Sequence, residues 1–236
     1  MFTKEYEIVS SDVDLNKELT FSSMLRLFQD IATIHGEMIG VGNDEIFKHN
    51  LVWVVSRTTI EITKMPKMGD KIVLETAPGE IMRTMFPRFY QIKDINGNVI
   101  IKASSIWVLM DFNSRVMVSP DAYNISIDPK YIENFNMFAQ NVKTLQYDLT
   151  YEKHVEYSDL DYNHHMNNTK YADLVMNALY ETKIEQHNYK NFKIVYSKEA
   201  KLNDTIVVKY TKNNSLINVC GFVDNQKVFA AELIYE

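Results

Sequence analysis

A short polar segment in the last third of the chain holds the residues best suited to chemistry. Within five residues it offers a carboxylate, Asp161, a carboxamide, Asn163, and an imidazole, His165, all just before a helical pattern. Asp161 and His165 can exchange or orient protons, and Asn163 can fix a carbonyl group or a water molecule. Free amides at a helix N-terminus can also hold a developing oxyanion. The alternative is that the Asp and Asn residues only cap the helix by accepting hydrogen bonds from its first N–H groups.

The start of this segment occurs twice in the chain. Residues 11–16 read Ser-Asp-Val-Asp-Leu-Asn, and residues 158–163, which lie 147 positions later, read Ser-Asp-Leu-Asp-Tyr-Asn, with four of six positions identical. Glu18 stands in the first copy where His165 stands in the second. If capping were the only task, both copies would need only the shared residues. The additional histidine therefore indicates that the second copy performs the chemistry.

Each copy of the motif leads into the same order of predicted elements. Apolar residues at helical spacing follow both copies, with Thr20 and either Asn167 or Asn168 as N-caps. Four runs with the alternation of strands then follow each helix. In sequence order these runs are 52–62, 71–76, 83–93, 99–110, 193–198, 205–210, 217–223 and 227–235.

Turn residues between the strands predict how the chain reverses. Turn signals at 68–70, 96–98, 202–204 and 224–226 lead us to expect hairpins between all consecutive strands. The sequence thus predicts the α+β class, with two tandem units in each of which one long helix packs on an antiparallel sheet. We expect an N-terminal unit at residues 1–130, a linker at 131–146 and a C-terminal unit at 147–236.

Composition excludes several classes of protein. Of the 236 residues, 46% are hydrophobic and 24% charged, which rules out disorder as the main state. The net charge of −6 has no concentrated basic run, so no nucleic-acid partner is expected. The longest apolar stretches are strand-sized, so no membrane span is expected. The charged N-terminus lacks a signal peptide and Cys220 is the single cysteine, which together indicate a cytoplasmic protein.

No cofactor is predicted. The spacing of potential ligands suggests no metal site, and the chain has no glycine-rich phosphate loop.

Several blocks of sequence, taken in order, resemble the acyl-acyl carrier protein thioesterases of plants and bacteria. Related HVNN-type motifs also occur in hotdog acyl-CoA thioesterases. The resemblance implies a double (tandem) hotdog fold. The blocks are Val-Trp-Val-Val-Ser-Arg at 52–57, Met-Gly-Asp at 68–70, Ile-Trp-Val-Leu-Met-Asp at 106–111, and Asp161-x-Asn163-x-His165-Met166-Asn167-Asn168-x-Lys170-Tyr171.

The resemblance also implies a fourth catalytic residue. The family has a Glu followed by a Cys on the strand after the second helix, and here Glu199 is kept while Ala200 takes the cysteine position. A Cys–His–Asn mechanism therefore has no thiol, and we interpret Cys220 as a small buried hydrophobic residue. Met65 stands opposite Glu199 in the first copy.

We accordingly expect four catalytic residues, Asp161, Asn163, His165 and Glu199. Glu199 and His165 would hold and deprotonate a water molecule, Asp161 would orient His165 or share its proton, and Asn163 would bind the thioester carbonyl or the water. Direct attack by a carboxylate, which would form an anhydride, is the open alternative.

The function implied by the resemblance is hydrolysis of fatty acyl-acyl carrier protein to free fatty acid, which ends fatty acid synthesis. Acyl-CoA hydrolysis and non-enzymatic binding of acyl thioesters are the alternatives. A homodimer is among the expected assemblies. The first half would act as scaffold and acyl tunnel, with Met24, Phe28, Ile31, Trp53 and Trp107 as lining candidates that would equally suit a core. Basic candidates for binding the acidic carrier protein are Lys64, Lys67, Lys71, Arg83, Arg88, Lys198 and Lys201.

Overall fold

A computed structural model describes residues 1–133, 135–142, 146–181 and 188–236 of the chain. It contains two compact units, Met1–Ala139 and Gln140–Glu236. The predicted linker, residues 131–146, spans the division between them, although its residues 134 and 143–145 lie outside the described residues.

The first unit contains five antiparallel strands and two helices. The strands pair in the order β1-β3-β4-β5-β2, so the lead-in strand β1 lies at one edge and β2 follows β5. In chain order the elements are β1 (Phe2–Glu7), α1 (Phe21–Met38), α2 (Asn43–Phe47), β2 (Leu51–Ile62), β3 (Lys71–Pro78), β4 (Phe86–Asp94) and β5 (Val99–Asp111).

The second unit repeats this arrangement without a counterpart of α2 among its described residues. Its strands pair in the order β7-β10-β9-β8-β6, which is the order of the first unit read from the other end. Its elements are β6 (Leu149–His154), α3 (Lys170–Glu181), β7 (Tyr189–Tyr196), β8 (Thr205–Asn213), β9 (Leu216–Val223) and β10 (Gln226–Tyr235). The predicted order of one lead-in strand, one long helix and four strands is therefore confirmed in both units.

The prediction of hairpins between all consecutive strands is wrong for the first pair in each unit. The last three strands of each unit do form hairpins, but β2 pairs with β5 and β7 pairs with β10. The turn at 68–70 closes on the end of β1 instead, since Gly69 N–H donates to Ile8 O and Ile8 N–H donates to Asp70 O. In the second unit, Asn203 and Val155 form the equivalent bond. Both turns thus belong to connections that cross the sheet.

The positive φ angles at these two turns explain their residue types. Gly69 has φ of 88° and Asn203, at the equivalent place, has φ of 70°. This left-handed region is open to glycine and is adopted by asparagine more readily than by most residues.

Each long helix buries one apolar face against its own sheet. Helix α1 packs on β1 and β3, and helix α3 packs on β9 and β10. Met24, Phe28 and Ile31 are almost completely buried on α1, and the Phe28 ring stacks on Tyr90 of β4 with centroids 4.7 Å apart. A fully buried side chain of this kind contributes roughly 1.5–3 kcal/mol to folding. Among the described residues, no helix is long and apolar enough to cross a membrane.

Side-chain caps begin both helices, as the sequence predicts. Thr20 Oγ1 accepts a hydrogen bond of 3.1 Å from Ser23 N–H. In the second unit the cap is Asn167, whose Oδ1 accepts hydrogen bonds from Thr169 N–H at 3.0 Å and from Thr169 Oγ1 at 2.9 Å. Asn167 stands 147 positions after Thr20, so the repeat includes the cap.

We expect Thr20→Ala to lower the free energy of unfolding by about 1 kcal/mol, because the N–H of Ser23 would lose its acceptor. Urea denaturation followed by circular dichroism measures this change. Thr20→Ser, which keeps the hydroxyl oxygen, is the control and should restore most of the lost stability. Equal stability of the Ala variant and the wild type would contradict the assigned cap.

Candidate active site

The segment from Asp161 to His165 forms a tight turn closed by main-chain hydrogen bonds. Asp161 N–H donates to His165 O at 2.9 Å, and His164 N–H donates to Asp161 O at 3.0 Å. His164 has φ of 64°, a left-handed conformation that costs a non-glycine residue about 1 kcal/mol. The turn therefore fixes where the next residue, His165, leaves the loop.

His165 and Glu199 meet at this turn. The His165 Nε2 atom lies 3.3 Å from Glu199 Oε2. The histidine side chain is 16% exposed and the glutamate side chain 34% exposed, so solvent reaches the pair while most of the imidazole is covered. An imidazole and a carboxylate at this distance can pass a proton between them and can together hold a water molecule.

Glu199 lies in a loop that the second unit holds firmly. It stands three residues beyond the end of β7, which fits the predicted run 193–198 better than the place on the strand that the resemblance implies. The neighbouring residue fixes the loop, because Ala200 O accepts a hydrogen bond of 2.8 Å from Met166 N–H. On its other side, Ala200 N–H donates to the Tyr171 hydroxyl of α3 at 3.1 Å. The residues next to His165 and Glu199 are thus bonded directly to each other.

Two tyrosines, the buried Tyr171 and the half-buried Tyr196, contact this part of the second unit. The Tyr171 and Tyr196 rings pack edge to face with centroids 5.7 Å apart, and the Tyr196 hydroxyl donates to Asn168 O at 3.0 Å. Burial raises the pKa of Tyr171 to about 12 and also raises the pKa of Tyr196. Both hydroxyls consequently stay neutral near pH 7 and serve to position the loop. Sequence reasoning missed them, although Tyr171 belongs to the quoted motif.

Asp161 does not make the contact that we expected with the His165 imidazole. Its Oδ1 atom accepts a hydrogen bond of 2.8 Å from Asn163 N–H, and it forms no side-chain contact with His165 in the described part of the chain. Asp161 is therefore connected to His165 by a main-chain hydrogen bond of the turn.

The first unit builds the same frame without the reactive pair. Asp14 N–H donates to Glu18 O at 2.9 Å, Asp14 Oδ1 accepts from Asn16 N–H at 2.8 Å, and Leu19 N–H donates to Pro66 O at 2.8 Å. Where His165 faces Glu199 in the second unit, Glu18 forms an ion pair of 3.2 Å with Lys67. The aspartates of both copies thus accept hydrogen bonds from N–H groups of the turn before the helix rather than of the helix itself, and the His–Glu pair is specific to the second copy.

Comparison with known proteins assigns the chain to a family. The family model described as Acyl-ACP thioesterase N-terminal domain matches residues 1–125, and the corresponding C-terminal domain model matches residues 142–228. The chain belongs to the acyl-ACP thioesterase family.

Individual members of the acyl-ACP thioesterase family are similar over most of the chain. A chloroplastic palmitoyl-acyl carrier protein thioesterase of Arabidopsis thaliana is 25% identical over 217 residues, covering 85% of this chain and 52% of that protein. The chain therefore spans about half the length of the curated relatives it matches.

Solved structures confirm the tandem hotdog fold. The 12:0-ACP thioesterase from Umbellularia californica has a TM-score of 0.84 at 21% identity, covering 100% of this chain and 96% of that chain. An acyl-ACP thioesterase from Bacteroides thetaiotaomicron has a TM-score of 0.80 at 22% identity, covering 100% of this chain and 97% of that chain.

The single cysteine of this acyl-ACP thioesterase family member is buried. Cys220 is completely buried on β9, where its thiol lies 3.2 Å from Phe229 O, and burial raises its pKa. Its interpretation as a small buried residue is confirmed. Ala200 is also fully buried. Within the described residues, no group of three or more His, Cys, Asp or Glu side chains could hold a metal ion.

The first unit holds an apolar pocket that includes two of the five predicted tunnel residues. Trp53 and Trp107 line it, and it encloses about 540 Å³ of space, part of it open to solvent. Met24, Phe28 and Ile31 do not line this pocket, because they form the buried core between α1 and its sheet.

Arg88 was expected among the basic surface residues, and this prediction is wrong. Its side chain is buried in the pocket wall, with 8% of the residue exposed.

The shared frame predicts a loss of stability from each of the two equivalent aspartates. Asp14→Ala and Asp161→Ala should each lower the free energy of unfolding by about 1 kcal/mol, since each removes the acceptor of a turn N–H group. The loss at Asp14 should be at least as large as at Asp161, because Asp14 Oδ1 also accepts from Glu18 N–H at 3.1 Å. Urea denaturation of the two variants checks this. A much larger loss in Asp161→Ala alone would show that the two turns are not equivalent.

Proposed function

We propose that this protein hydrolyses the thioester of fatty acyl-acyl carrier protein, releasing free fatty acid and so ending fatty acid synthesis. The observation that carries this proposal is the His165–Glu199 contact of 3.3 Å, which the otherwise equivalent frame of the first unit lacks. The substrate class is supported by membership of the acyl-ACP thioesterase family and by relatives that are named as acyl carrier protein thioesterases.

The pair can activate a water molecule. Glu199 would take a proton from the water, whose oxygen attacks the thioester carbonyl carbon, and the carbon–sulfur bond then breaks. Glu199 would pass this proton to His165 Nε2, and His165 would give it to the leaving thiolate, which returns both residues to their starting protonation states and yields a carboxylic acid and a thiol. Asn163, at the exposed turn, would bind the carbonyl oxygen or the water. Direct attack by Glu199 to form an anhydride is the alternative route.

Asp161 serves this chemistry indirectly. Because it closes the turn by its hydrogen bonds to Asn163 N–H and His165 O, it sets the direction in which His165 faces Glu199. Its substitution would therefore misplace the imidazole, while the same substitution at Asp14 would disturb a turn without a reactive group.

The first unit would act as scaffold and acyl-binding unit. Its pocket between Trp53, Phe86 and Trp107 offers apolar walls for a fatty acyl chain. The carrier protein, which is acidic, would be recognised by exposed basic side chains, of which Lys198 and Lys201 are closest in sequence to Glu199. A cytoplasmic location and a homodimer stay predictions.

Measurement of thiol release distinguishes the carrier-protein substrate from its alternatives. The same acyl chain is offered on acyl carrier protein and on CoA, and the free thiol is followed with a chromogenic disulfide. We expect kcat/KM to be at least about tenfold higher for the carrier-protein thioester, because only it adds a protein interface to the acyl contacts. Equal values would favour an acyl-CoA thioesterase, and binding without thiol release would favour a non-enzymatic acyl-thioester-binding protein.

Removal of either member of the pair should abolish most of the activity. His165→Ala and Glu199→Gln are each expected to lower kcat by at least about a hundredfold, since each removes a proton-transferring group. His164→Asn is a matched control, because it replaces the adjacent exposed imidazole by a residue that tolerates the positive φ at this position. Asp14→Ala is a second control and should leave kcat close to wild type. Normal turnover in both His165→Ala and Glu199→Gln, with folding intact, would refute the site.

A thiol should play no part in the reaction. Cys220→Ala is expected to keep kcat within about twofold of wild type, because a buried thiol with a raised pKa is a poor nucleophile. Treatment of the folded protein with iodoacetamide should likewise leave the activity intact. Loss of turnover in a folded Cys220→Ala variant would revive a cysteine mechanism.

A further inference from the structure

Arg88 on β4 is a buried cation without an anionic partner. Its Nη1 atom donates to His35 Nδ1 at 3.1 Å and to Thr76 Oγ1 at 3.3 Å. In the parts of the chain that the structure describes, these two groups are its only hydrogen-bond partners, and no carboxylate there forms an ion pair with it. Burial lowers the pKa of Arg88, yet a guanidinium remains charged in proteins.

His35 does not neutralise this charge. Arginine has only donors, so His35 Nδ1 must be the acceptor and carries no proton. The imidazole is buried, with its ring stacked on Phe2 at a centroid distance of 5.8 Å. Burial and the neighbouring guanidinium lower the pKa of His35 to about 4. Both partners of Arg88 are therefore neutral near pH 7, and an unpaired buried charge is costly to maintain.

Arg88 belongs to the residues that form the wall of the apolar pocket of the first unit. Trp53, Phe86 and Trp107 form other parts of that wall. The indole N–H groups are already used, since Trp53 Nε1 donates to Val41 O and Trp107 Nε1 donates to Ser105 Oγ, both at 2.8 Å. The aromatic faces are left for apolar contacts. Among the described residues, Nε and Nη2 of Arg88 donate to no acceptor, so they remain available to a ligand.

We propose that this pocket is a binding site for a carboxylate carried on an apolar chain. The planar guanidinium fork matches the two oxygens of a carboxylate, and pairing with it would supply the missing negative charge. The chain would lie against the aromatic side chains of Trp53, Phe86 and Trp107, which line the pocket. All of these residues belong to the first unit, whereas His165 and Glu199 belong to the second.

Two kinds of molecule carry a carboxylate on an apolar chain. One is a free fatty acid, the product of the proposed reaction, whose carboxylate would bind Arg88. The other is an acyl chain that ends in a carboxylate and enters the pocket while still attached to its carrier. A chain ending in a methyl group would leave the guanidinium unpaired in both cases.

Tryptophan fluorescence tests the site directly. The chain contains 2 tryptophans, Trp53 and Trp107, and both line this pocket. We expect dodecanoate, titrated below its micellar concentration, to bind about tenfold or more tightly than 1-dodecanol, because a hydrogen bond to a charged group discriminates by at least this factor. Equal affinity of the wild-type protein for the two ligands would overturn the proposal without recourse to any variant.

Variants at position 88 test the role of the charge. In Arg88→Met the preference for dodecanoate should disappear, whereas Arg83→Met, which removes an exposed arginine, should keep it. The Met variant should melt no lower than wild type, because an unpaired buried charge has been replaced by an apolar side chain. If it does not fold, Arg88→Lys should keep part of the preference. A folded Arg88→Met with the full preference, or Arg88→Lys with none, would contradict the proposal.

A thioester assay separates the two sources. If the ligand is an acyl group, the protein should cleave an ω-carboxydodecanoyl thioester with a higher kcat/KM than a dodecanoyl thioester. In Arg88→Met this preference should disappear. If the ligand is a free fatty acid, dodecanoate should bind while the unsubstituted thioester remains preferred. Should no thioester be cleaved, the proposed hydrolysis fails, and the fluorescence titration still decides whether the carboxylate site exists.

Discussion

The hydrogen bond from Met166 N–H to Ala200 O joins two loops that are far apart in sequence, and the candidate site depends on it. Met166 follows His165 and Ala200 follows Glu199, so this one main-chain contact holds the two side chains within 3.3 Å. The turn at Asp161 and the Tyr171 hydroxyl each fix one of the joined loops from its other side. The positions of the two side chains are thus set by hydrogen bonds of the main chain on either side of them.

The repetition of this frame allowed the two units to diverge. The bond from Leu19 to Pro66 shows that the first unit needs the same closure for its fold alone. Once the frame is fixed by main-chain atoms, the side chains next to it are free to change. In the first unit, Glu18 pairs with Lys67 on the surface, and the chemically unusual group, Arg88, lies in the pocket instead. A duplicated scaffold can therefore carry two different sites.

Main-chain closure also explains which parts of the site the sequence identifies well. The sequence identifies the polar motif before α3 because the motif occurs twice in the chain. It identifies His165 because the first copy has Glu18 at the equivalent position. The role of Asp161 is not visible, since a carboxylate next to a histidine suits both proton transfer and capping. In the structure its side chain accepts a hydrogen bond from Asn163 N–H, and that contact depends on the path of the backbone through the turn.

The sequence by itself determined the α+β class, the tandem repeat, the cap at Thr20 and the family, because each depends on residues close together in the chain. Only the tertiary structure decided that β2 pairs with β5, that Asn167 and not Asn168 accepts the hydrogen bonds before α3, and that Arg88 is buried beside His35. Strand partners and buried charges are selected by long-range contacts, whose free energies are not encoded in any local pattern.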